Sequence, residues 1–139
     1  YNILDTRTDN FDKARAKSNA EDAIAKYKEL KCMVGLFAYN SPSCIDAIKE
    51  AGKLGTIKIC GFDEQDALLQ AITDGHAYGT ISQQPWEYGY ESIKMLKKIL
   101  EGTQPENTYQ EVSFLEGTQG NIGEFWAKKK EMAELGKSE

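Results

Sequence analysis

Short apolar runs alternate with longer segments of helical periodicity along this sequence. The runs cover residues 33–38, 56–62 and 77–82, and each has the length of a buried strand. Between them, apolar residues recur every three or four positions, as they do in amphipathic helices. Strands that alternate with helices form a mostly parallel sheet covered by helices. The sequence therefore predicts an α/β fold in three layers, with a Rossmann-like sheet between helices on both faces.

The predicted elements follow one another with short connections. The predicted strands are residues 1–4, 33–38, 56–62, 77–82 and 111–115. The predicted helices are residues 12–30, a helix after Ser41-Pro42 that ends near Gly52, a helix through Leu68 and Ile72, residues 86–100 and residues 122–135. The unbroken apolar character of residues 33–38 is typical of a strand buried on both faces. Gly75 is expected to end the third helix in a left-handed conformation.

Composition excludes several classes of function. The chain has 139 residues, of which 40% are hydrophobic and 28% charged, so we expect a packed core. The net charge is -5 and no basic stripe is present, which argues against a nucleic acid partner. No apolar run reaches the roughly twenty residues that a membrane span needs.

Residues for catalysis or metal binding are not arranged in any known pattern. The single histidine, His76, is predicted to lie in a solvated turn, and no serine or cysteine occupies a nucleophile elbow. Cys32, Cys44 and Cys60 form no C-x-x-C pair, and Cys60 is predicted to be a small buried hydrophobic residue. We therefore expect no enzymatic activity, no metal and no cofactor.

Polar side chains follow three of the predicted strands. Asn40, Asp63 and Gln83 each stand where a strand ends. Because ligands of open α/β sheets bind outside the carboxyl ends of the strands, these three residues are predicted to line one crevice. Their amide and carboxylate groups offer planar donors and acceptors that suit the vicinal hydroxyls of a polyol. Each residue taken singly is also compatible with a turn or a helix cap.

Aromatic residues near these positions are candidates for stacking on a sugar ring. Phe11 lies in the polar turn after the first predicted strand, where it either stacks on a ligand or packs on the core at the start of the helix. Trp86 and Tyr88 are weaker candidates, since aromatic residues at a helix start more often pack than bind.

Six segments of the chain together resemble the second half of the ribose-binding protein family of periplasmic sugar receptors. The matching segments, in order, are Asp9-Asn10-Phe11-Asp12, Gly35-Leu36-Phe37-Ala38-Tyr39-Asn40, Gly61-Phe62-Asp63-Glu64, Asp74-Gly75, Gln83-Gln84-Pro85 with Gly89, and Glu124-Phe125-Trp126-Ala127-Lys128. The resemblance covers nearly the whole chain. It implies the C-terminal lobe of a two-lobed type I periplasmic binding protein, located in the periplasm or otherwise outside the cytoplasm.

The resemblance also implies roles for the candidate residues. Phe11 corresponds to the aromatic residue that stacks on the sugar, and Asn40, Asp63 and Gln83 correspond to residues that bind its hydroxyls, with Gln83 at the hinge. The expected ligand is a monosaccharide, either a ribose-like pentose or a hexose. The expected partners are the N-terminal lobe of the same protein and a membrane ABC permease.

Compared with such receptors, the chain is incomplete. It lacks a first lobe and the opening strand and helix of the second, so its start at Tyr1 is interpreted as a cut or processed boundary. We assign residues 1–83 to the sugar-binding lobe, residues 84–110 to a segment that packs on the absent N-terminal lobe, and residues 111–139 to a hinge-crossing strand and the terminal helix. Without that lobe, the apolar face of residues 86–100 needs a partner chain or another copy of this chain, and we expect either association or disorder there.

Two alternatives share part of this interpretation. The effector-binding core of a transcription regulator of the lactose-repressor family has the same two-lobed fold, and the sequence upstream of this chain would distinguish it. A small doubly wound enzyme would need a glycine-rich loop after its first strand, and Asp5-Thr6-Arg7-Thr8 is not such a loop. The solute-binding component of a sugar transporter is the function that the residues favour.

Overall fold

A computed structural model describes residues 2–107 and 109–136 of the chain. The described residues form α1 (Lys13–Lys26), β1 (Cys32–Val34), α2 (Asn40–Glu50), β2 (Lys58–Phe62), α3 (Asp66–Thr73), β3 (Gly79–Ser82), α4 (Pro85–Leu100), β4 (Leu115–Thr118) and α5 (Ile122–Leu135). Helices and strands alternate from α1 to α5, as the sequence pattern predicts.

The four strands form one sheet in the order β1-β2-β3-β4. The first three strands are parallel, with Met33 beside Ile59 and Phe62 beside Ile81. The last strand, β4, is antiparallel to β3. A mostly parallel sheet with crossover helices confirms the predicted α/β fold class.

The core lies where α2 and α3 pack on the sheet. Its most deeply buried apolar side chains are Ile48, Ile57, Ile59, Leu68, Leu69 and Ile72. Full burial of a side chain of this size stabilises the fold by about 1.5 to 3 kcal/mol. Gly61 in β2 allows this close packing, because a Cβ atom there would lie 2.3 Å from Ser41 Oγ and 2.5 Å from Leu68 Cδ2.

Helix α1 begins at a side-chain cap and packs on α2. The Asp12 carboxylate accepts the backbone N–H groups of Ala14 at 2.8 Å and Arg15 at 3.1 Å, which stabilises the first turn. The face that carries Ala16, Ala20 and Ile24 is buried, as predicted. The prediction that this helix extends to residue 30 is wrong, because Tyr27 adopts an extended conformation and directs the chain toward β1.

The predicted strand at residues 1–4 is not formed by its described residues; Tyr1 lies outside the described part of the chain. Ile3 is 83% exposed, and the Leu4 carbonyl accepts a hydrogen bond from the Tyr27 hydroxyl at 3.3 Å. Its described residues are thus tied to the end of α1 and pair with no strand of the sheet. A short apolar pattern becomes a strand only where a neighbouring strand pairs with it.

Strand β1 is shorter and more exposed than predicted. The prediction of a strand over residues 33–38 buried on both faces is wrong, since β1 ends at Val34, whose side chain is 60% exposed. The Gly35 N–H still donates to the Cys60 carbonyl at 3.0 Å, after which the chain turns into α2. Helix α2 begins at Asn40, one residue before the predicted Ser41-Pro42 start.

Helices α2 and α3 end close to the predicted glycines. Gly52 and Gly75 have φ values of 66° and 73°, and both follow the last helical turn. Gly75 confirms the predicted left-handed end of α3, because residues other than glycine rarely adopt this conformation.

Strand β4 lies further along the chain than predicted. The predicted strand at residues 111–115 is wrong: Leu115 is the first paired residue and lies opposite Ser82, the last residue of β3. Residues before Leu115 have no β3 residue to pair with, and Phe114 is exposed. Helix α5 has the predicted bounds, and its Phe125 side chain is buried.

Helix α4 differs from the others because none of its side chains is buried. We call its exposed stripe the α4 apolar face, formed by Trp86, Tyr90, Ile93, Leu96 and Leu100. Gln84, just before α4, connects it to the rest of the lobe: the Gln84 amide donates to the Ser113 carbonyl at 2.8 Å and accepts from Lys128 Nζ at 3.0 Å.

Candidate functional site

The three polar residues predicted at strand ends all lie at one edge of the sheet. Asn40 is the first residue of α2, on the chain that leaves β1, while Asp63 and Gln83 directly follow β2 and β3. The carboxyl ends of parallel neighbours meet at the same edge. We call this edge, with Asn40, Asp63 and Gln83, the sheet rim.

Asp63 is held in place through its backbone. Its φ angle of 64° lies in the left-handed region, which few residues other than glycine, asparagine and aspartate adopt. The Asp63 N–H donates to the Ile81 carbonyl at 2.9 Å, and the Asp63 carbonyl accepts from the Thr80 hydroxyl at 2.7 Å. Because both backbone groups are bonded to β3, the sheet fixes the direction of the Asp63 side chain.

The structure brings Asp63 and Gln83 together. The Gln83 amide donates to Asp63 Oδ1 at 3.4 Å, a long and therefore weak hydrogen bond. Gln83 is exposed and Asp63 is half-buried. Both groups retain most of their hydrogen-bonding capacity for a ligand, since a carboxylate accepts about four hydrogen bonds.

The Asn40 side chain is partly engaged within the protein. Its Oδ1 accepts the Phe37 N–H at 3.0 Å, and its Nδ2 donates to Asp9 Oδ2 at 2.7 Å. Asn40 therefore stabilises the turn before α2, which is one of the roles that the sequence left open for it. An amide carries a second N–H and a second lone pair, so Asn40 can support the turn and still bind a hydroxyl.

Phe11 is exposed and does not pack on the core at the start of α1. Its ring is 76% exposed and meets the Phe37 ring edge-on, with the centroids 5.4 Å apart. Phe37 in turn stacks on Tyr39 with centroids 6.2 Å apart. We call these three rings the aromatic shelf.

Asp9 connects the segment that carries Phe11 to the segment that carries Asn40. Its carboxylate accepts hydrogen bonds from the Tyr39 hydroxyl at 2.6 Å, the Asn40 amide at 2.7 Å and the Phe11 N–H at 2.9 Å. These donors, above all the Tyr39 hydroxyl, lower the pKa of Asp9 below its ordinary value. Conversely, the Asp9 carboxylate raises the pKa of Tyr39.

Sequence reasoning missed three residues of this region as site candidates: Asp9, Phe37 and Tyr39. The apolar run led us to assign Phe37 to a buried strand, whereas it lies in the turn before α2. Asp9 gave one usable signal, because aspartate often accepts the backbone N–H two residues ahead in a turn. The contact between Asp9 and Tyr39 spans 30 residues and has no local signature.

The weaker candidates lie on or near α4 and in a bend. Trp86 stacks on Tyr90 within α4, with centroids 5.3 Å apart, and Tyr88 is exposed beside them. Neither Trp86 nor Tyr88 is buried in the core, contrary to what is usual for aromatic residues at a helix start. His76 lies in a bend after α3 and is half-buried.

Two of the cysteines lie side by side on the sheet. Cys32 Sγ in β1 and Cys60 Sγ in β2 are 3.8 Å apart, and all three cysteines are free thiols. Cys60 is half-buried, which is less than predicted. Its partial burial and, to a smaller extent, the neighbouring Cys32 raise its pKa to about 11. Burial also raises the pKa of Cys44 to about 11. A high pKa keeps these two groups protonated at neutral pH, which makes them poor nucleophiles.

Within residues 2–107 and 109–136, no group of three or more histidine, cysteine, aspartate or glutamate side chains is placed to hold a metal ion. No helix in this same part of the chain combines the length and the apolar character needed to cross a membrane.

An α/β sheet with aromatic and hydrogen-bonding side chains at its carboxyl edge is typical of a protein that binds a small ligand. The family model described as "Periplasmic binding protein domain" matches residues 1–104 of the chain. The chain therefore belongs to the periplasmic binding protein family, in agreement with the family predicted from its sequence.

Individual relatives agree with this assignment. The D-ribose/D-allose-binding protein of Pseudomonas aeruginosa is 22% identical over 105 residues, covering 76% of this chain and 33% of the relative. An ABC transporter solute-binding protein from Agrobacterium vitis, solved with α-D-tagatopyranose, superposes with a TM-score of 0.79 at 24% identity, covering 87% of this chain and 40% of the other. A second Agrobacterium vitis solute-binding protein, solved with D-fucose, gives a TM-score of 0.73 at 28% identity, with coverage of 84% and 40%.

The relatives are considerably longer than this chain. It spans 33% of the length of the ribose/allose-binding relative and 40% of each of the two solved structures. The similarity therefore covers less than half of each of these relatives.

Proposed function

We propose that this chain forms part of an extracytoplasmic receptor that binds a monosaccharide, either a ribose-like pentose or a hexose. The observation that carries the proposal is the sheet rim itself. Asn40, Asp63 and Gln83 lie at one edge of the sheet, and the exposed Phe11 ring lies on the Asn40 side of it. The named ligands of the relatives support the class of ligand, since ribose, allose, tagatose and fucose are all monosaccharides.

The chemistry of these groups suits a sugar. A pyranose or furanose ring has an apolar face of C–H groups, which packs on an aromatic ring such as Phe11. Its hydroxyls both donate and accept, so they match the amides of Asn40 and Gln83. The Asp63 carboxylate accepts from hydroxyls in charge-assisted hydrogen bonds, which are the stronger kind.

The rim forms only one side of a binding cleft. We propose that an N-terminal lobe of the same protein supplies the other side and that the sugar stabilises the closed arrangement by contacting both lobes. A ligand shifts an open-to-closed equilibrium only if it binds the closed state more tightly, and contacts to both lobes provide that difference.

The division of the chain follows from this proposal. Residues 1–83 form the sugar-binding part, residues 84–110 pack on the N-terminal lobe, and residues 111–139 cross the hinge and end in α5. The α4 apolar face supports this division, because its five side chains are exposed in the described part of the chain and need a partner surface.

The receptor would deliver its sugar to a membrane ABC permease and would catalyse no reaction. Membership of the periplasmic binding protein family supports binding as the activity. The two Agrobacterium vitis relatives are ABC transporter solute-binding proteins, which supports the permease as partner.

Replacing Asp63 tests the site. In the full-length polypeptide that contains this chain, Asp63→Ala is expected to weaken sugar binding by roughly 10- to 150-fold, the equivalent of a hydrogen bond to a charged group at about 1.5 to 3 kcal/mol. Isothermal titration calorimetry measures the change. Asp63→Asn, which tolerates the left-handed backbone, separates loss of the charge from backbone strain.

Asp74→Asn is the matched control. Asp74 is an exposed carboxylate at the other end of α3, away from the rim, and it accepts a hydrogen bond from the Gln70 amide at 2.9 Å. The Asp74→Asn variant should bind sugar like the wild type. Unchanged affinity in Asp63→Ala would refute the site.

A thermal-shift panel of monosaccharides on the same full-length protein identifies the sugar. Binding to the native state alone raises the melting temperature, so the preferred sugar gives the largest shift at a given concentration. If no pentose or hexose raised the melting temperature, the proposed ligand class would be wrong.

A further inference from the structure

The geometry around Asp9 points to a role beyond that of a turn residue. One carboxylate accepts three hydrogen bonds from two separate segments, with Phe11 in the segment before α1 and Tyr39 and Asn40 at the start of α2. Each of the three donors is part of the aromatic shelf or of the sheet rim. Asp9 is half-buried between them.

Phe11 depends on this support for its position. Asn10 and Phe11 have φ angles of 53° and 62°, so two consecutive residues adopt the left-handed conformation. This conformation is unfavourable for a bulky residue such as phenylalanine and persists only where surrounding contacts impose it. Because the ring itself is mostly exposed, the core does not impose it. Three contacts hold it: the turn bond from the Asp12 N–H to the Asp9 carbonyl at 3.1 Å, the Phe11 N–H bond to the Asp9 carboxylate, and the ring contact with Phe37.

Asn40 depends on Asp9 for the orientation of its amide. The bond from Nδ2 to Asp9 requires that Oδ1 face the Phe37 N–H, as it does at 3.0 Å. With a neutral amide in place of the Asp9 carboxylate, an N–H group could face the Asn40 N–H group. The Asn40 amide would then lose the acceptor that keeps its Nδ2 toward residue 9 and its Oδ1 toward the Phe37 N–H.

We infer that Asp9 is a positioning residue that sets the orientation of Phe11 and Asn40 before the sugar arrives. This inference rests on the proposed function, because it concerns the same rim. It predicts that Asp9 contributes to affinity without touching the ligand. When a side chain is already ordered, ligand binding avoids the entropy cost of ordering it.

The first test uses the 139-residue chain without any ligand. Nuclear Overhauser contacts between the ring protons of Phe11 and Phe37 are expected in the wild type and are expected to be lost or strongly weakened in Asp9→Asn. Tyr39→Phe keeps the ring but removes one donor to Asp9, so it should weaken these contacts less. Contacts that are unchanged in Asp9→Asn, with folding confirmed by the spectrum of the core methyl groups, would overturn the inference.

The second test measures sugar affinity in the full-length protein. Asp9→Asn is expected to weaken binding by roughly 3- to 10-fold, the range of one ordinary hydrogen bond. In a double-mutant cycle, its effect should shrink when Phe11 is already alanine, because Asp9 acts through that ring. The matched cycle with Asp63→Asn should be additive, since Asp63 is fixed by β3 rather than by Asp9.

The two tests separate the two ideas. If no sugar binds the full-length protein, the proposed function fails, while the ring contacts in the chain alone still decide the role of Asp9. If sugar binds and Asp9→Asn is additive with Phe11→Ala, Asp9 does not act through the ring and the inference fails.

Discussion

Helices α3 and α4 carry similar apolar stripes but lie in opposite environments. In α3, Leu68, Leu69 and Ile72 are fully buried, and the helix packs against α2, α5 and β3. In α4, no side chain is buried, and Ile93 is 67% exposed. Hydrophobic periodicity thus predicts both helices equally well, yet it does not reveal which surface covers each stripe.

Only one of the two stripes is therefore covered by the described part of the chain. The α3 stripe is part of the core that this chain completes within itself. The α4 apolar face is a surface for which the described part of the chain provides no cover. Three experiments test whether the contrast in burial is also a contrast in stability.

The largest effect is expected from a cavity in the core. Leu69→Ala in α3 should lower the free energy of unfolding by about 2 to 5 kcal/mol, because the deleted atoms are fully buried. Leu96→Ala in α4 makes the same chemical change on an exposed side chain and should stay within about 0.5 kcal/mol. Urea unfolding followed by circular dichroism measures both. Equal losses would show that α4 is packed as tightly as α3.

A pair of glycine substitutions gives effects of opposite sign. Gly61→Ala should destabilise the chain by about 1 to 3 kcal/mol, because its Cβ would overlap Ser41 and Leu68. Gly89→Ala in α4 meets nothing within 4 Å and should increase helicity, with a gain of about 0.5 to 1 kcal/mol. The same urea titrations, with ellipticity at low denaturant, measure both. A destabilising Gly89→Ala would mean that a surface already covers this part of α4.

The smallest effect on stability is expected from a charge on the α4 apolar face. Ile93→Glu should leave the unfolding free energy within about 0.5 kcal/mol but reduce the predicted self-association of the chain. Light scattering over a range of concentrations measures the mass. Lys98→Gln, on the other side of α4, changes the charge by the same amount and should associate like the wild type. A wild type that stays monomeric at all concentrations would contradict the predicted association.

Much of the fold follows from local pattern. The centres of β2, β3 and every helix were predicted, since periodicity and glycine positions depend on neighbouring residues alone. The strands at residues 1–4 and 111–115 were predicted wrongly, because pairing decides where a strand lies. The β4 register, for example, is set by Ser82 opposite Leu115, a contact between distant parts of the chain.

The same distinction holds for the candidate site. Asn40, Asp63 and Gln83 were found because strand ends in a parallel sheet share one edge. The exposure of Phe11 was one of two alternatives that sequence left open. Phe37, Tyr39 and Asp9 were missed because their roles depend on a hydrogen bond that joins residues 9 and 39. Tertiary contacts of this kind leave little trace in the local sequence.

Under the proposed function, the left-handed backbone of Asp63 is a trade-off between the stability of the fold and sugar binding. Glycine would adopt the same φ of 64° without strain, whereas aspartate keeps it at a cost of roughly 1 kcal/mol. A fold optimised for stability alone would place glycine at this position. By retaining a carboxylate there, the chain gives up some thermal tolerance to keep a negative charge aimed in a fixed direction.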